Sequence, residues 1–173
     1  VFFPHWSWII PRGVYTAHEC VIFHMTDVPF GRGGSPLQNL IVRGFRKTML
    51  SSIRCVESLD AGPVYMKRPL SLDGTAEQIL RRASDLMEDM ILKIVSDSPE
   101  PRPQKGDVVT FKRRRPSDGD LRQATGIQQV YDYIRMLDAD GYPPAFIETT
   151  NLRVEFEAAE LGEDVVVARV KIK

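Results

Sequence analysis

A short apolar segment that ends in a histidine places the firmest constraint on the fold of this chain. Cys20 to Phe23 is an uninterrupted apolar run, and His24 follows it at once. Such runs are typical of strands that are buried on both faces in parallel sheets. The sequence therefore predicts an α/β fold. It also places His24 beyond the carboxyl end of a strand, where ligands bind in open α/β sheets.

Strand and helix signals alternate along the first part of the chain. Thr75 and Gln78 fit a capping box, and an amphipathic helix extends from them to about Ser96. Alternation of this kind indicates crossover connections and a mostly parallel, partial Rossmann-like sheet. The other predicted elements here are strands at residues 1–3, 49–56 and 64–69, a short helical turn from Pro11, and a helix from Ser35 and Pro36 to about Arg43.

Glycine and proline punctuate two further segments. Residues 29–36 contain three glycines and two prolines in eight positions, which predicts an irregular loop. Residues 98–103 are rich in proline and form the predicted domain boundary. We therefore expect one domain over residues 1–98, a linker over 99–117 and a small C-terminal α+β domain over 118–173. The predicted tail elements are strands at 107–111, 143–147, 152–156 and 165–172 and a helix at 125–137.

Charge and cysteine content exclude several classes of protein. Lys and Arg number 23, as do Asp and Glu, so the balance is neutral and argues against a dedicated nucleic-acid binder. The two cysteines, Cys20 and Cys55, fit neither a disulfide framework nor a metal site, and buried thiols in a cytoplasmic protein are expected. No segment reaches the roughly 18 apolar residues that a membrane span needs.

Several side chains have both a chemical and an ordinary interpretation. His24 at its strand end fits catalysis, and it equally fits a histidine without a chemical role. Asp60, before Ala-Gly-Pro, is also a common turn residue. The basic run Lys112 to Arg115 fits a solvated face or a phosphate contact. Trp6 and Trp8 fit stacking on a flat ring or packing within their own domain.

Three motifs occur in a fixed order. Residues 22–29 read Ile-Phe-His-Met-Thr-Asp-Val-Pro, residues 32–36 read Arg-Gly-Gly-Ser-Pro, and residues 59–62 read Leu-Asp-Ala-Gly. This order resembles the folate-dependent formyltransferases, whose motifs are Asn-x-His-x-Ser-x-x-Pro, Arg-Gly-x-x-Pro and Leu-Asp-x-Gly. The family includes methionyl-tRNA and sugar N-formyltransferases. The stretches 3–11, 113–116, 131–135 and 142–146 also resemble the folate loop, linker and C-terminal domain of that family.

The resemblance implies transfer of a formyl group from 10-formyltetrahydrofolate to an amine, without a metal. It implies that His24 and Asp60 are catalytic, with Asp60 orienting His24. The implied cofactor-binding residues are Trp6, Ser7, Trp8, Ile9, Ile10, Leu59, Ala61 and Gly62. The implied substrate-binding residues are Thr26, Arg32, Gly33, Gly34, Ser35 and Pro36.

The chain departs from the family pattern at two places. Ile22 stands where the family has its catalytic Asn, and Ile offers no donor to a developing oxyanion. Thr26, a protonated His24 or backbone N–H groups are the alternatives for that role. The strands that precede the folate loop in the family are also missing before Val1. Because a cut sheet exposes a hydrophobic edge, we expect a homodimer or a longer native chain.

Charge and the size of the C-terminal tail bear on which amine accepts the formyl group. The neutral charge and the small tail favour a small-molecule amine, and a nucleotide-linked amino sugar is the expected acceptor, with no membrane or nucleic-acid partner. Initiator methionyl-tRNA is the alternative, because the basic run of residues 112–115 fits phosphate contacts. A non-catalytic folate- or nucleotide-binding module and a hydrolase are further alternatives.

Overall fold

A computed structural model describes all residues of the chain, 1–173. Nine strands and four α-helices follow one another along it, with two short 3-10 helices at Pro116–Gly119 and Leu121–Gln123. The elements are β1 (Phe2–Phe3), α1 (Arg12–Ala17), β2 (Val21–His24), β3 (Phe30–Gly33), α2 (Pro36–Ile41), β4 (Lys47–Arg54), β5 (Val64–Ser71), α3 (Ala76–Asp97), β6 (Val109–Phe111), α4 (Ile127–Arg135), β7 (Ala145–Glu148), β8 (Arg153–Leu161) and β9 (Val166–Ile172).

The chain divides into two compact units. The first contains Val1–Pro36, Lys47–Ser71 and Leu80–Arg113. The second contains Leu37–Arg46, Leu72–Ile79 and Arg114–Lys173. The second unit thus takes two segments from the N-terminal part of the chain. The domain limits at 98 and 118 and the linker between them stay a prediction.

A four-stranded mixed sheet forms the centre of the first unit. Its order is β1-β2-β4-β5, in which β1 and β2 are parallel and the other two pairings are antiparallel. The α/β class is confirmed, with less parallel pairing than expected. The short connection over residues 55–63 accounts for the antiparallel pairing of β4 with β5, because a parallel pair needs a crossover of about a dozen residues or more.

Helix α3 begins where the capping box predicts. The Thr75 backbone N–H donates to the Gln78 side chain at 3.0 Å, and the Gln78 N–H donates to the Thr75 hydroxyl at 3.3 Å. These reciprocal bonds satisfy two of the donors that every helix start leaves unpaired. In the first unit the helix buries one apolar face through Ala83, Met87, Met90 and Ile94.

The glycine-rich segment is partly a strand, so the expectation of an irregular loop over residues 29–36 was wrong for Phe30–Gly33. Strand β3 pairs in parallel with β6, with Gly33 opposite Phe111. A Cβ on Gly33 would lie 2.4 Å from the carbonyl oxygen of Phe111, so only glycine permits this approach. Because its partner lies far along the chain, local turn signals do not reveal the pairing.

The second unit has its own core. Strands β7, β8 and β9 form an antiparallel sheet, and its Ala145 and Ala159 form a buried cluster with Leu121 and Ile134. Arg135 in α4 is 1% exposed. Its Nε donates to Asp132 at 2.6 Å, and its Nη1 donates to the carbonyl oxygens of Leu72 and Gly74 at 2.6 and 2.9 Å. A buried cation needs such partners, so this group ties α4 to residues 72–74.

Two details of burial correct the sequence expectations. The predicted strand at residues 1–3 forms as β1, but Val1 is exposed and both phenylalanines are only half-buried. Cys20 is buried, whereas Cys55 is half-buried, and both thiols are free. Burial still raises the pKa of the Cys55 thiol. No helix of the chain is both long and apolar enough to cross a lipid bilayer.

Candidate active site

His24 lies buried at the carboxyl end of β2. Its Nε2 is 2.7 Å from the carbonyl oxygen of Gly31, and its Nδ1 is 3.6 Å from Oδ2 of Asp60. A carbonyl oxygen only accepts, so Nε2 carries a proton in this arrangement. Nδ1 is then the nitrogen that remains to take up a proton, and a carboxylate faces it. The pair therefore has the parts that general acid-base chemistry requires.

Asp60 occupies the loop between β4 and β5. Its carboxylate is also buried, and Oδ2 accepts a hydrogen bond from the Gly33 N–H at 2.8 Å. The backbone of Asp60 is left-handed, with φ at +51°. Aspartate tolerates this conformation better than most residues, although it is not the preferred one. Such local strain persists where surrounding contacts hold it, as they do here.

Gly62 shows how tightly the Asp60 loop is packed. A Cβ at this position would lie 1.7 Å from the carbonyl oxygen of Arg54 in β4. Any larger residue would therefore move the backbone two positions after Asp60. The glycine of the Leu-Asp-Ala-Gly motif is explained by this contact.

Thr26 lies two residues after the end of β2. It is fully buried, its hydroxyl is 3.4 Å from the carbonyl oxygen of Gly31, and its own carbonyl accepts from the Ser51 hydroxyl at 2.7 Å. Gly31 O is thus shared by His24 and Thr26. In this conformation Thr26 orders the loop after β2, and its contact with a substrate stays a prediction.

Gln104, which none of the sequence motifs indicated, also contacts the residues of this site. The Gln104 amide donates to the carbonyl oxygens of Asp60 and Gly62, both at 2.8 Å, and it accepts from Nη2 of Arg32 at 2.7 Å. Gln104 directly follows the proline-rich segment and lies in the predicted linker. No local signal could have identified it, because its partners lie in a distant loop and a distant strand.

Comparison with known proteins places these features in a family. The family described as "Methionyl-tRNA formyltransferase, C-terminal domain" matches residues 116–173. The solved structure of a methionyl-tRNA formyltransferase from Clostridium thermocellum is 47% identical, with a TM-score of 0.97, over 99% of this chain and 76% of that one. The chain belongs to the folate-dependent formyltransferase family. The α/β fold with a small C-terminal part that the resemblance implied is thereby confirmed.

More distant formyltransferases and related folds extend the comparison. HypX from Aquifex aeolicus, solved with tetrahydrofolic acid, is 19% identical with a TM-score of 0.71, over 91% of this chain and 28% of that one. A sugar N-formyltransferase from a Shewanella species is 18% identical with a TM-score of 0.65, over 90% and 68%. These two show the fold alone.

The curated relatives are longer than this chain. The methionyl-tRNA formyltransferase of Gluconobacter oxydans is 28% identical over 156 residues, which is 87% of this chain and 51% of the relative. The chain thus spans about half the length of the curated proteins it matches.

Ile22 takes the place of the asparagine in the formyltransferase motif. It lies in β2 opposite Ile53 of β4 and is half-buried. Because side chains alternate along a strand, Ile22 and His24 project from the same face of the sheet. The side chain of Ile22 therefore offers no hydrogen-bond donor on that face.

The predicted donor-binding loops expose large apolar side chains. Trp8 is 76% exposed, Ile9 78% and Leu59 57%, and Trp6 packs edge-on against Phe3 while remaining half exposed. Ser7 is exposed, whereas Ile10 and Gly62 are buried and Ala61 is half-buried. The contact of these residues with a folate stays a prediction.

The predicted acceptor loop lies along β3 and the start of α2. Arg32, Gly33, Gly34, Ser35 and Pro36 are all half-buried. A Cβ on Gly34 would lie 2.6 Å from the Cα of Arg113, so the loop is held against the backbone of the basic run. No group of three or more His, Cys, Asp or Glu side chains in the chain is arranged to hold a metal ion.

Proposed function

We propose that this chain carries the catalytic centre of an enzyme that transfers a formyl group from 10-formyltetrahydrofolate to the amine of methionyl-tRNA. One observation carries the proposal: a buried His24 faces Asp60 in a chain of this family. The chain is 47% identical to a methionyl-tRNA formyltransferase and covers 76% of that protein. Family members use 10-formyltetrahydrofolate as the donor. HypX from Aquifex aeolicus, which shares the fold, was solved with tetrahydrofolic acid, and this ligand belongs to the same cofactor class.

The arrangement of His24 gives it a proton-handling role. Attack of the amine on the formyl carbon forms a C–N bond, and the attacking nitrogen must lose a proton. Nδ1 of His24 takes that proton, because Nε2 already donates to Gly31 O. The Asp60 carboxylate stabilises the resulting imidazolium. His24 then returns the proton to the folate nitrogen as its bond to the formyl carbon breaks.

The acceptor in this proposal differs from the one that the sequence favoured. The neutral charge and the small tail favoured a nucleotide-linked amino sugar. The sugar N-formyltransferase shares only the fold at 18% identity, whereas the methionyl-tRNA enzyme is 47% identical. The family match over residues 116–173 is also to a methionyl-tRNA formyltransferase domain. These findings favour tRNA, and exposed Arg113 and Arg115 supply cations that suit its phosphates.

An acceptor panel tests the proposal. Purified protein is incubated with 10-formyltetrahydrofolate and either methionyl-tRNA or a nucleotide-linked amino sugar, and the N-formyl product is measured by mass spectrometry. We expect product with methionyl-tRNA, and a loss of about 10³-fold in kcat/KM in His24→Ala. His18→Ala is the matched control, since His18 is exposed and belongs to no part of the site.

The other outcomes separate the rival functions. Product with the amino sugar alone would overturn the tRNA assignment. Folate binding without turnover would indicate a non-catalytic module, and release of formate without an acceptor would indicate a hydrolase. Full activity in His24→Ala would remove His24 from the chemistry.

A homodimer and a cytoplasmic location also belong to this proposal. Strand β1 lies at one edge of the four-stranded sheet, and edge strands are natural sites of pairing between chains. Light scattering at several concentrations measures the oligomeric state. A monomer throughout would contradict the dimer.

A further inference from the structure

Gln104 joins the loop that carries Asp60 to the strand that carries Arg32. Its Nε2 donates to the carbonyl oxygens of Asp60 and Gly62, both at 2.8 Å. Its Oε1 accepts from Nε and Nη2 of Arg32 at 3.1 and 2.7 Å. Carbonyl oxygens only accept and a guanidinium only donates, so these partners admit one orientation of the amide. Both of its N–H donors are therefore committed to the Asp60 loop.

These contacts form a closed ring. Gln104 binds the backbone of Asp60, the Asp60 carboxylate binds the Gly33 N–H at 2.8 Å, and the peptide bond links Gly33 to Arg32. Arg32 then returns to Gln104 through its guanidinium. Rotation of the Asp60 carboxylate away from His24 thus requires that at least one bond of the ring breaks.

Neighbouring contacts fix the backbone that delivers Gln104. Arg102 forms an antiparallel bridge with Val64, with reciprocal hydrogen bonds of 2.8 and 2.7 Å. This bridge anchors the proline-rich segment beside the first residue of β5, directly after the Asp60 loop. The side chain two residues later then reaches both carbonyl oxygens.

We propose that Gln104 is a positioning residue for Asp60. It holds the left-handed backbone of Asp60, with φ at +51°, so that the carboxylate stays 3.6 Å from Nδ1 of His24. Gln104 itself binds the backbone of the loop and acts through Asp60. The kinetic part of this inference rests on the proposed formyl transfer, whereas the structural part does not.

Two substitutions separate the donor contacts of the Gln104 amide from its acceptor contacts. Gln104→Glu keeps the length and still accepts from Arg32, but it loses both donors to the Asp60 loop. Gln104→Ala removes the donor contacts and the acceptor contacts together. Lys105→Ala is the matched control, because Lys105 is the next residue and is exposed.

The hydrogen-exchange rate of the Gly33 amide reports whether the Asp60 carboxylate is in place, and it needs no activity assay. We expect exchange at least about tenfold faster in both Gln104 variants and unchanged in Lys105→Ala, because the Asp60 carboxylate no longer holds this N–H. The amide of Leu50, inside β4, reports global opening. Unchanged Gly33 exchange in Gln104→Glu would overturn the proposal, as would an equal acceleration at Leu50.

Kinetics then test whether Gln104 acts through Asp60. Gln104→Glu should lower kcat by about 10- to 100-fold, as small misplacements of catalytic groups do, with the donor KM changed less than about threefold. In an Asp60→Ala background it should cause no further loss. A multiplicative loss there would show that Gln104 does not act through Asp60. If the wild-type protein transfers no formyl group, the proposed function fails, and the Gly33 exchange still decides the role of Gln104.

Discussion

Oδ2 of Asp60 lies 3.6 Å from Nδ1 of His24 while it accepts the Gly33 N–H at 2.8 Å. The carboxylate is thereby held by β3 and presented to the histidine at the end of β2. Strand pairing between β3 and β6 keeps Gly33 in place, so the geometry of the pair depends on residues far apart in the sequence.

Replacement of Asp60 by asparagine should separate charge from shape. Asp60→Asn keeps the size and can still accept from Gly33, but it lacks the negative charge that stabilises a protonated His24. We expect kcat to fall by about 100-fold or more with little change in melting temperature. Steady-state kinetics and thermal melts measure the two effects. Asp140→Asn, at an exposed site, should change neither. Retention of full activity would contradict the role of the carboxylate.

Two glycine-to-alanine substitutions should have opposite effects. Gly62→Ala places a Cβ 1.7 Å from Arg54 O and must displace the Asp60 loop, so it should lower both stability and formyl transfer. Gly13→Ala in α1 meets nothing within 4 Å and should stabilise by about 0.5–1 kcal/mol. Denaturant unfolding measures both. Equal behaviour of the two variants would show that the Asp60 loop is not tightly constrained.

Ile22→Asn should raise the rate of formyl transfer. Asparagine on the same face of β2 as His24 adds a donor for the developing oxyanion, and one such donor is worth about 100-fold in related chemistry. We expect a gain of about tenfold or more in kcat from this change. Ile22→Val is the control, since it removes one methyl group and adds no donor. A lower rate in Ile22→Asn would indicate a site built around the apolar residue.

Acid should remove the stabilising effect of Asp120 in the second unit. Hydrogen bonds from the Arg122 side chain hold the pKa of Asp120 below its ordinary value. A lowered folded-state pKa contributes stability above the unfolded-state pKa, and that contribution is lost as the pH falls from about 4 through the folded value. Asp120→Asn should therefore melt below the wild type at pH 7 and converge with it near pH 2. A constant difference between the two proteins would contradict this origin.

The basic run should contribute to tRNA binding through charge alone. Arg113→Ala should weaken binding of methionyl-tRNA and reduce the slope of log K against log salt by about 1, as the loss of one phosphate contact does. Lys47→Ala, which removes an exposed cation at the start of β4, should leave the slope unchanged. Filter binding across a salt series measures both. An unchanged slope in Arg113→Ala would place the tRNA contacts elsewhere.

The sequence by itself determined the features that depend on neighbouring residues. The Thr75 and Gln78 cap, helix α3 and the apolar strand that ends at His24 arise from propensity and periodicity within a few turns or residues, and the structure has all three. The ordered motifs also identified the family, because they preserve residue types at fixed spacing.

Only the tertiary structure decided how these pieces meet. The antiparallel pairing of β4, the strand at Phe30–Gly33 and the ring through Gln104 all depend on hydrogen bonds between segments that are distant in sequence. A glycine-rich stretch has the same local preferences with or without a partner strand, and a glutamine after prolines has no preferred partner. The backbone and amide groups of these segments are satisfied by long-range contacts, which local pattern does not encode.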